Sequence, residues 1–271
     1  SSNNIYRYNE FFNTIGGIGL RDGDSNQIYG NSWSDEENTA NPNRRQDVSI
    51  AIKGQYNLIA NNVFNVPRAR GAISENRWGT RKFRSGTNTT SRTGYNLIAN
   101  NTIIATRPGT PAISVGRNGG EFDVTGGSAR PIIGSVYINN IIMGGAKLFG
   151  YQDSFVDPQS GQTRFNDVII ENNLFYPTEN ATLGEGFSVG QNSQGNPQLG
   201  SDYRPTTNSS RVIDKGNSVV LNIRQDTRSK FKNVNVAIDI DVDYLGAKRR
   251  VGSSPDIGAI EFVGEGENLA D

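Results

Sequence analysis

Positively charged side chains are concentrated in one stretch of the chain, between residues 68 and 92. The cations of this stretch are Arg68, Arg70, Arg77, Arg81, Lys82, Arg84 and Arg92. Trp78 and Phe83 lie among them, and Glu75 is the single acidic residue there. Guanidinium groups bind carboxylates and sulfates through paired hydrogen bonds, and aromatic faces can stack on sugar rings. The stretch predicts a groove for an acidic polysaccharide, although a solvated loop has a similar composition.

Other partners are less well supported by the sequence. Lys and Arg together number 27, as do Asp and Glu, so the net charge does not indicate a partner. Nothing matches a nucleic-acid-binding fold, so we expect no nucleic acid. No apolar run approaches the roughly 18 residues that a membrane span requires, so none is expected.

The absence of two residue types limits the chemistry. The chain has no His and no Cys. This excludes a Ser-His-Asp triad, a thiol nucleophile and a zinc site that depends on these ligands. Catalysis would have to use Lys, Arg, Tyr, Asp, Glu or a hard cation bound by oxygen atoms.

A short repeat determines the predicted fold. Apolar residues, an Asn or Asn-Asn, and further apolar or aromatic residues recur six times, and the last Asn of each copy is residue 9, 31, 62, 101, 140 or 173. The steps are 22, 31, 39, 39 and 33 residues. Each step fits one coil of a parallel β-helix with inserted loops, and the longer steps also fit two coils. Asn tolerates left-handed bends and can form ladders between stacked coils.

The predicted class is therefore all-β, a right-handed parallel β-helix over residues 1–262 with inserted loops and a flexible tail at 263–271. A β-sandwich is the alternative, since it also has many short strands. Residues 254–262, which contain Asp-Ile-Gly-Ala-Ile-Glu, predict a C-terminal capping strand. Asp239, Asp241 and Asp243 alternate ahead of it, which fits a capping or solvated strand face better than a calcium site.

The first 75 residues resemble a known enzyme family. Asn4-x-Tyr6-x-x-Asn9-x-Phe11 is followed by Gly16-Gly17-Ile18-Gly19-Leu20-Arg21-Asp22-Gly23-Asp24. This pattern is similar to the polysaccharide lyases that include chondroitinase B and many alginate lyases. The resemblance implies β-elimination on a uronate polysaccharide, with alginate favoured over chondroitin or dermatan sulfate.

The same resemblance assigns roles to individual residues. Arg21 matches the catalytic arginine of the family, and Arg70 matches an arginine that binds substrate. Asp22 stands where the family has His, which implies weaker contact or a different specificity. We expect the acidic polysaccharide to be held by Lys53, Arg68, Arg70, Arg77, Trp78 and Asp22.

Two parts of the family's site are expected upstream of this sequence. The alignment places the catalytic Lys immediately before Ser1, and the Asn and Glu ligands of a calcium ion further upstream. The resemblance thus implies that N-terminal coils, or an N-terminal fragment of the same protein, complete the site. It also implies a bacterial protein that is secreted, periplasmic or on the cell surface. The alternative is a non-catalytic β-helix that acts as a surface or glycan-binding protein.

Overall fold

The computed structural model is all-β in the part of the chain that it describes, where no helix occurs. The described residues are 2–14, 16–21, 23–35, 48–77, 80–82, 88–90, 93–106, 110–118, 132–143, 147–150, 165–176, 187–217, 242–249 and 251–264.

The strands of successive coils form three parallel sheets. In the described part of the chain, the first five coils contribute a strand to each sheet, and the next two coils contribute to sheets A and B. Sheet A consists of Ile5–Arg7, Gln27–Tyr29, Leu58–Ala60, Leu97–Ala99, Val136–Ile138, Val168–Glu171 and Phe187–Val189. Sheet B consists of Glu10–Phe12, Ser32–Ser34, Val63–Asn65, Thr102–Ala105, Ile141–Met143, Leu174–Tyr176 and Ser193–Gln194. Sheet C consists of Ile18–Arg21, Ile50–Lys53, Ile73–Arg77, Pro111–Asn118 and Lys147–Gly150.

Two smaller pairs of strands belong to the inserted segments. Thr80–Lys82 pairs with Asn88–Thr90 in an antiparallel hairpin. Ile132–Ile133 pairs in parallel with Phe165–Asn166.

Each repeat step corresponds to one coil. Leu58 in sheet A pairs with Gln27 of the preceding coil and with Leu97 of the next. The same order holds along sheet B. The two-coil alternative for the long steps is therefore wrong, and the extra residues are insertions. The parallel pairing also excludes the β-sandwich and confirms a parallel β-helix-like solenoid.

The two asparagines of each pair have different roles at the bend between sheets A and B. The first Asn takes the left-handed conformation, with φ of 54° at Asn61 and 53° at Asn100. The second Asn forms the predicted ladder, because the backbone N–H and Nδ2 of Asn62 both donate to Oδ1 of Asn101, at 3.1 and 3.0 Å. The ladder consists of Asn9, Asn31, Asn62, Asn101, Asn140, Asn173 and Asn192.

A second Asn ladder, absent from the sequence-based prediction, lies just before the strands of sheet A. Nδ2 of Asn26 donates to Oδ1 of Asn57 at 3.0 Å, and Asn57 donates to Asn96 at 3.0 Å. Asn4 precedes Asn26 in this ladder, and the backbone N–H of Asn96 donates to Ser135 Oγ. The residue ahead of each ladder member has a positive φ, as at the other bend. Both ladders satisfy backbone groups at bends where no sheet pairing is available.

The core is a thin stack of apolar side chains between the three sheets. Phe11 stacks on Trp33 with ring centroids 4.6 Å apart, and Trp33 stacks on Phe64 at 4.7 Å. Isoleucines continue the core through later coils, for example Ile103 and Ile142. Aligned strand registers bring the same position of each coil into contact, so like side chains pack on one another.

The C-terminal segment differs from the prediction. Residues 251–264 form no strand, so the predicted capping strand is wrong. The segment lies along the side of the solenoid, where Gly258 N–H donates to the Asn139 carbonyl at 2.8 Å and Ala259 N–H donates to Thr102 Oγ1 at 2.8 Å. Its own carboxylates pair with its backbone, since Asp256 accepts from Phe262 N–H at 2.7 Å. These local bonds take the place of a strand ladder. Residues 265–271 of the predicted tail lie outside the described residues.

Candidate functional site

Sheet C carries most of the predicted site, and its two faces differ in side-chain size. One row faces the core, where Leu20, Ile52, Glu75 and Val115 are aligned across four coils and buried. The neighbouring row belongs to the opposite face because side chains alternate along a strand. Its positions are Gly19, Ala51, Ser74, Ser114 and Gly150.

Two serines in the middle of this outer row are buried and paired with each other. Ser114 Oγ donates to Ser74 Oγ at 2.8 Å, and both residues are buried. The outer face of sheet C therefore carries small side chains, and these two hydroxyl groups are not exposed to solvent.

Cationic residues occupy the carboxyl edge of sheet C on successive coils. Arg21 is in register with Lys53. On the next coils, Asn76 is in register with Arg117, and Arg77 follows Asn76 directly. We call Arg21, Lys53, Arg77 and Arg117 the cation row, in which Arg77 lies one position beyond the aligned residue Asn76. Three of its members were predicted as site residues, whereas Arg117 was missed because it is 40 positions from Arg77 in the sequence.

Lys53 is the member of the cation row whose side chain is described. It is only 9% exposed. Its main chain is held firmly, because the following Gly54 packs against the carbonyl of Gly23 so closely that a Cβ there would collide with it. Gln55 N–H also donates to Asp24 Oδ1 at 2.7 Å. The backbone that follows Lys53 is thus in contact with the preceding coil.

Arg68 and Arg70 lie at the other edge of sheet C, in the connection that leads into strand Ile73–Arg77. The structure therefore does not bring them together with the cation row. Arg68 Nη2 donates to Asn13 Oδ1 at 2.9 Å and is 3.6 Å from Asp35 Oδ1. These partners come from two other coils, so Arg68 ties three coils together. Arg70 is half-buried nearby.

The remaining predicted residues are only partly accounted for. Asp22 and Trp78 lie outside the described residues, as do Phe83, Arg84 and Arg92. Arg81 and Lys82 belong to the first strand of the hairpin inserted between Arg77 and Thr93. The cationic insertion therefore leaves the solenoid at the edge where the cation row lies.

The Glu75 carboxyl does not neutralise the cations of residues 68–92, because its side chain lies inside the solenoid. It is fully buried, and Oε1 accepts hydrogen bonds from Asn96 Nδ2 at 2.6 Å and Ser135 Oγ at 2.7 Å. Tyr137 donates to Oε2. Burial raises the pKa of Glu75, and these hydrogen bonds partly counteract the rise. Burial and the nearby carboxyl raise the pKa of Tyr137 well above its usual value.

The acidic side chains of the described residues do not cluster as metal ligands, since no group of three or more of them is placed to hold a metal ion. Asp243 instead organises a turn, since its Oδ1 accepts from Leu245 N–H at 2.8 Å and Ala247 N–H at 2.9 Å. Asp239 and Asp241 lie outside the described part. The expected calcium ligands upstream of Ser1 stay a prediction.

A cavity of about 270 Å³ lies away from sheet C, between residues 202–207 and 243–264. Its walls are mainly apolar and include Leu245, Ile260 and Phe262. An ion pair of Arg204 with Asp202, at 2.8 Å, lies at the cavity and is largely exposed. The cavity is on the side covered by the C-terminal segment and contains no predicted site residue.

The comparisons with known proteins leave the family open. No family model matches the chain, and no curated protein matches it. No helix in the described part is long and apolar enough to cross a membrane.

Proposed function

We propose that this chain is a polysaccharide lyase that cleaves an acidic, uronate-containing polysaccharide by β-elimination. Alginate is the favoured substrate, and the scaffold is a right-handed parallel β-helix. The observation that supports this proposal is the cation row at the carboxyl edge of sheet C. Coils rise by about 4.8 Å, which is close to the length of one sugar residue in an extended chain. Successive carboxylates of a uronate polymer can therefore meet successive coils.

The proposed chemistry needs positive charge near the reacting sugar. The proton next to a carboxylate is weakly acidic, and its removal places negative charge on the carboxylate group. Arg21 stabilises this charge or protonates the leaving oxygen, while Arg77 binds a neighbouring carboxylate. The base is the Lys expected immediately before Ser1. The ligands of the calcium ion, like this Lys, are expected upstream of Ser1.

The proposed setting follows from the substrate. Acidic polysaccharides of this kind lie outside bacterial cells, so we propose a secreted, periplasmic or cell-surface location. The partners are the polysaccharide and an N-terminal part of the same protein that supplies the base.

The test measures the ultraviolet absorbance of unsaturated uronate, with calcium present and with alginate, chondroitin sulfate and dermatan sulfate as substrates. The protein includes its natural upstream residues. We expect absorbance to rise with alginate, and Arg21→Ala to lower kcat by at least about 100-fold, as loss of a charge-stabilising group does. Arg7→Ala is the matched control because Arg7 lies on the same coil in sheet A and donates to Tyr29. Equal activity of Arg21→Ala and Arg7→Ala would refute the role of Arg21.

A non-catalytic glycan-binding β-helix is the second candidate. The sequence favours it over the lyase at one position, because Asp22 stands where the lyase family has His. Binding of alginate without any rise in absorbance, in the folded protein with calcium, would support this candidate and exclude the lyase.

A further inference from the structure

The apolar core of the solenoid is uncovered at the first coil, whose strands are outermost in the described part of sheets A, B and C, namely Ile5–Arg7, Glu10–Phe12 and Ile18–Arg21. Its core-facing residues are Tyr6, Phe11 and Ile18, and all three are only half-buried. The residues aligned with them on the next coil are buried, namely Ile28, Trp33 and Ile50. This end of the core therefore lacks the cover that each later coil receives from the coil before it.

The aromatic column of sheet B shows the same open end. One face of the Phe11 ring stacks on Trp33, and no second ring among the described residues covers its other face. The far end of this column is different, because it ends in Gln194, which is polar and exposed. Solenoids are closed by terminal repeats with a polar outer face. The last coil of sheet B meets this condition, whereas the first coil presents an apolar surface.

Both Asn ladders end at the first coil with unused acceptors. Asn4 donates from its backbone N–H and its Nδ2 to Oδ1 of Asn26, at 3.0 and 2.8 Å. Asn9 donates in the same way to Oδ1 of Asn31, at 3.0 and 2.9 Å. No donor among the described residues reaches Oδ1 of Asn4 or Oδ1 of Asn9. These two oxygens lie where the asparagines of a preceding coil would donate.

The direction of the ladders indicates what can cover the first coil. Each ladder Asn donates to the following coil and accepts from the preceding one. Two copies of the chain that met first coil to first coil would bring acceptor oxygens against acceptor oxygens. A copy that docked with its last coil would place the polar Gln194 on the ring of Phe11. A parallel coil with apolar core residues and an Asn at each of the two bends has neither mismatch.

We propose that the first coil is the docking surface for such a preceding coil, which belongs to the N-terminal part of the same protein. This coil adds parallel strands to the open edges, where backbone N–H and C=O groups are otherwise unpaired. Its apolar side chains cover Tyr6, Phe11 and Ile18, and its asparagines donate to Oδ1 of Asn4 and Asn9. This inference rests on the proposed function for the identity of the partner, but it does not depend on elimination.

The experiment compares the chain of 271 residues with the protein that includes its natural upstream residues. Amide hydrogen exchange is measured in strands Ile5–Arg7 and Glu10–Phe12. We expect the upstream residues to slow exchange there at least about tenfold, because edge amides gain partners and local opening becomes rarer. Exchange in Ser193–Gln194, at the opposite end of sheet B, should change less than about twofold.

A variant tests the acceptor on the first coil. In the wild type, the ratio of the exchange rates without and with the upstream residues measures the added protection. We expect Asn9→Ala to reduce this ratio at least about threefold, since one amide acceptor is lost. Asn192→Ala, at the other end of the same ladder, is the matched control and should leave the ratio unchanged. Both variants are measured in both forms of the protein, so that the lost bond between Asn9 and Asn31, which both forms share, cancels in the comparison.

The outcomes separate the docking surface from the proposed function. Equal exchange in the two forms of the wild type would overturn the docking proposal, as would a natural protein with no residues before Ser1. A 271-residue chain that is dimeric by light scattering and already protected at the first coil would assign the surface to a second copy and overturn it too. Equal ratios for Asn9→Ala and Asn192→Ala would refute the role of Asn9.

The ultraviolet assay for unsaturated uronate is run on the same protein. Added protection of the first coil without elimination supports the docking surface and rejects the lyase. Elimination without added protection rejects the docking surface alone.

Discussion

The hydroxyl group of Tyr137 in sheet A donates a hydrogen bond to Oε2 of Glu75 in sheet C, across the interior of the solenoid. Asn96 and Ser135 donate to the other carboxyl oxygen. Three side chains from two coils, in or next to sheet A, thus donate to one carboxyl group in sheet C. Buried polar groups are costly without partners, so this arrangement favours one alignment of the two sheets over shifted ones.

The loss of stability when Glu75 is replaced should depend on whether the new side chain keeps its hydrogen bonds. Glu75→Ala removes the acceptor of the Tyr137 and Ser135 hydrogen bonds to this carboxyl and opens a cavity, so we expect a loss of about 3–5 kcal/mol in the free energy of unfolding. Glu75→Gln has nearly the same volume, and the Tyr137 hydroxyl can turn to accept from its amide. We expect this variant to lose less than about 1.5 kcal/mol. Chemical denaturation measures both.

The pH dependence of the same variants gives a further check. Burial raises the folded-state pKa of Glu75, so its stabilising contribution is present at low pH and is lost as pH rises through that value. The wild type should therefore lose stability relative to Glu75→Gln as the pH is raised. A constant difference between the two proteins, or equal losses for Gln and Ala, would contradict this account.

The free energy of unfolding should be most sensitive to replacement of an Asn at the centre of the main Asn ladder. Asn101 is fully buried, accepts two hydrogen bonds from Asn62, and donates to the Ile59 carbonyl at 3.0 Å and Asn140 Oδ1 at 3.0 Å. Asn101→Ala leaves several buried groups without partners, so we expect a loss of about 3 kcal/mol or more in the free energy of unfolding.

Asn9→Ala is the matched variant at the exposed end of that ladder. Asn9 is exposed, and its side chain donates to Asn31 Oδ1 at 2.9 Å and to the Arg7 carbonyl at 3.0 Å. Its replacement should cost about 1 kcal/mol. Similar losses for the two variants would mean that burial does not set the strength of the ladder.

The solenoid was predictable because one residue type marks the same bend on each coil. Asn62, Asn101 and Asn140 are preceded by a second Asn that takes the left-handed conformation, and this combination is visible in the sequence. The last coil was missed because Asn192 follows Asn173 by only 19 residues and is followed by the polar residues Ser193 and Gln194 instead of apolar ones. The second ladder was missed because none of the coils from Asn26 to Asn96 has an Asn-Asn pair at this bend, and Ser135 replaces Asn on the next coil.

The site was less predictable because nearness in sequence and nearness in space differ in a solenoid. Arg68 and Arg77 are nine positions apart, yet they lie at opposite edges of sheet C. Arg21 and Lys53 are 32 positions apart and are in direct register. Glu75 was counted with the basic stretch, but strand alternation turns it into the core. The register between coils, which depends on loop lengths, determines which residues become neighbours in space.

The C-terminal segment is held by a buried network of charged groups. Arg249 is 3% exposed and donates to the Gly258 carbonyl, while Asp243, Asp256 and Glu261 are buried around it. Burial raises the pKa of Asp256 to about 6 and that of Glu261 to about 7. The charge of Arg249 acts in the opposite direction on both carboxyls but does not cancel the effect of burial.

These shifts predict that the segment loosens as pH rises. Both folded-state pKa values lie above the usual values of 3.8 and 4.5. The contribution of these groups is therefore complete below about pH 4 and is lost as pH rises through about 6 to 7. We expect lower hydrogen-exchange protection factors for the Gly258 and Ala259 amides at pH 8 than at pH 5.5. Glu261→Gln should reduce that difference, whereas Glu10→Gln, on the exposed first coil, should preserve it. Protection that is constant with pH in the wild type would show that these carboxyls do not control the attachment of the segment. A difference of the same size in Glu261→Gln would exclude Glu261.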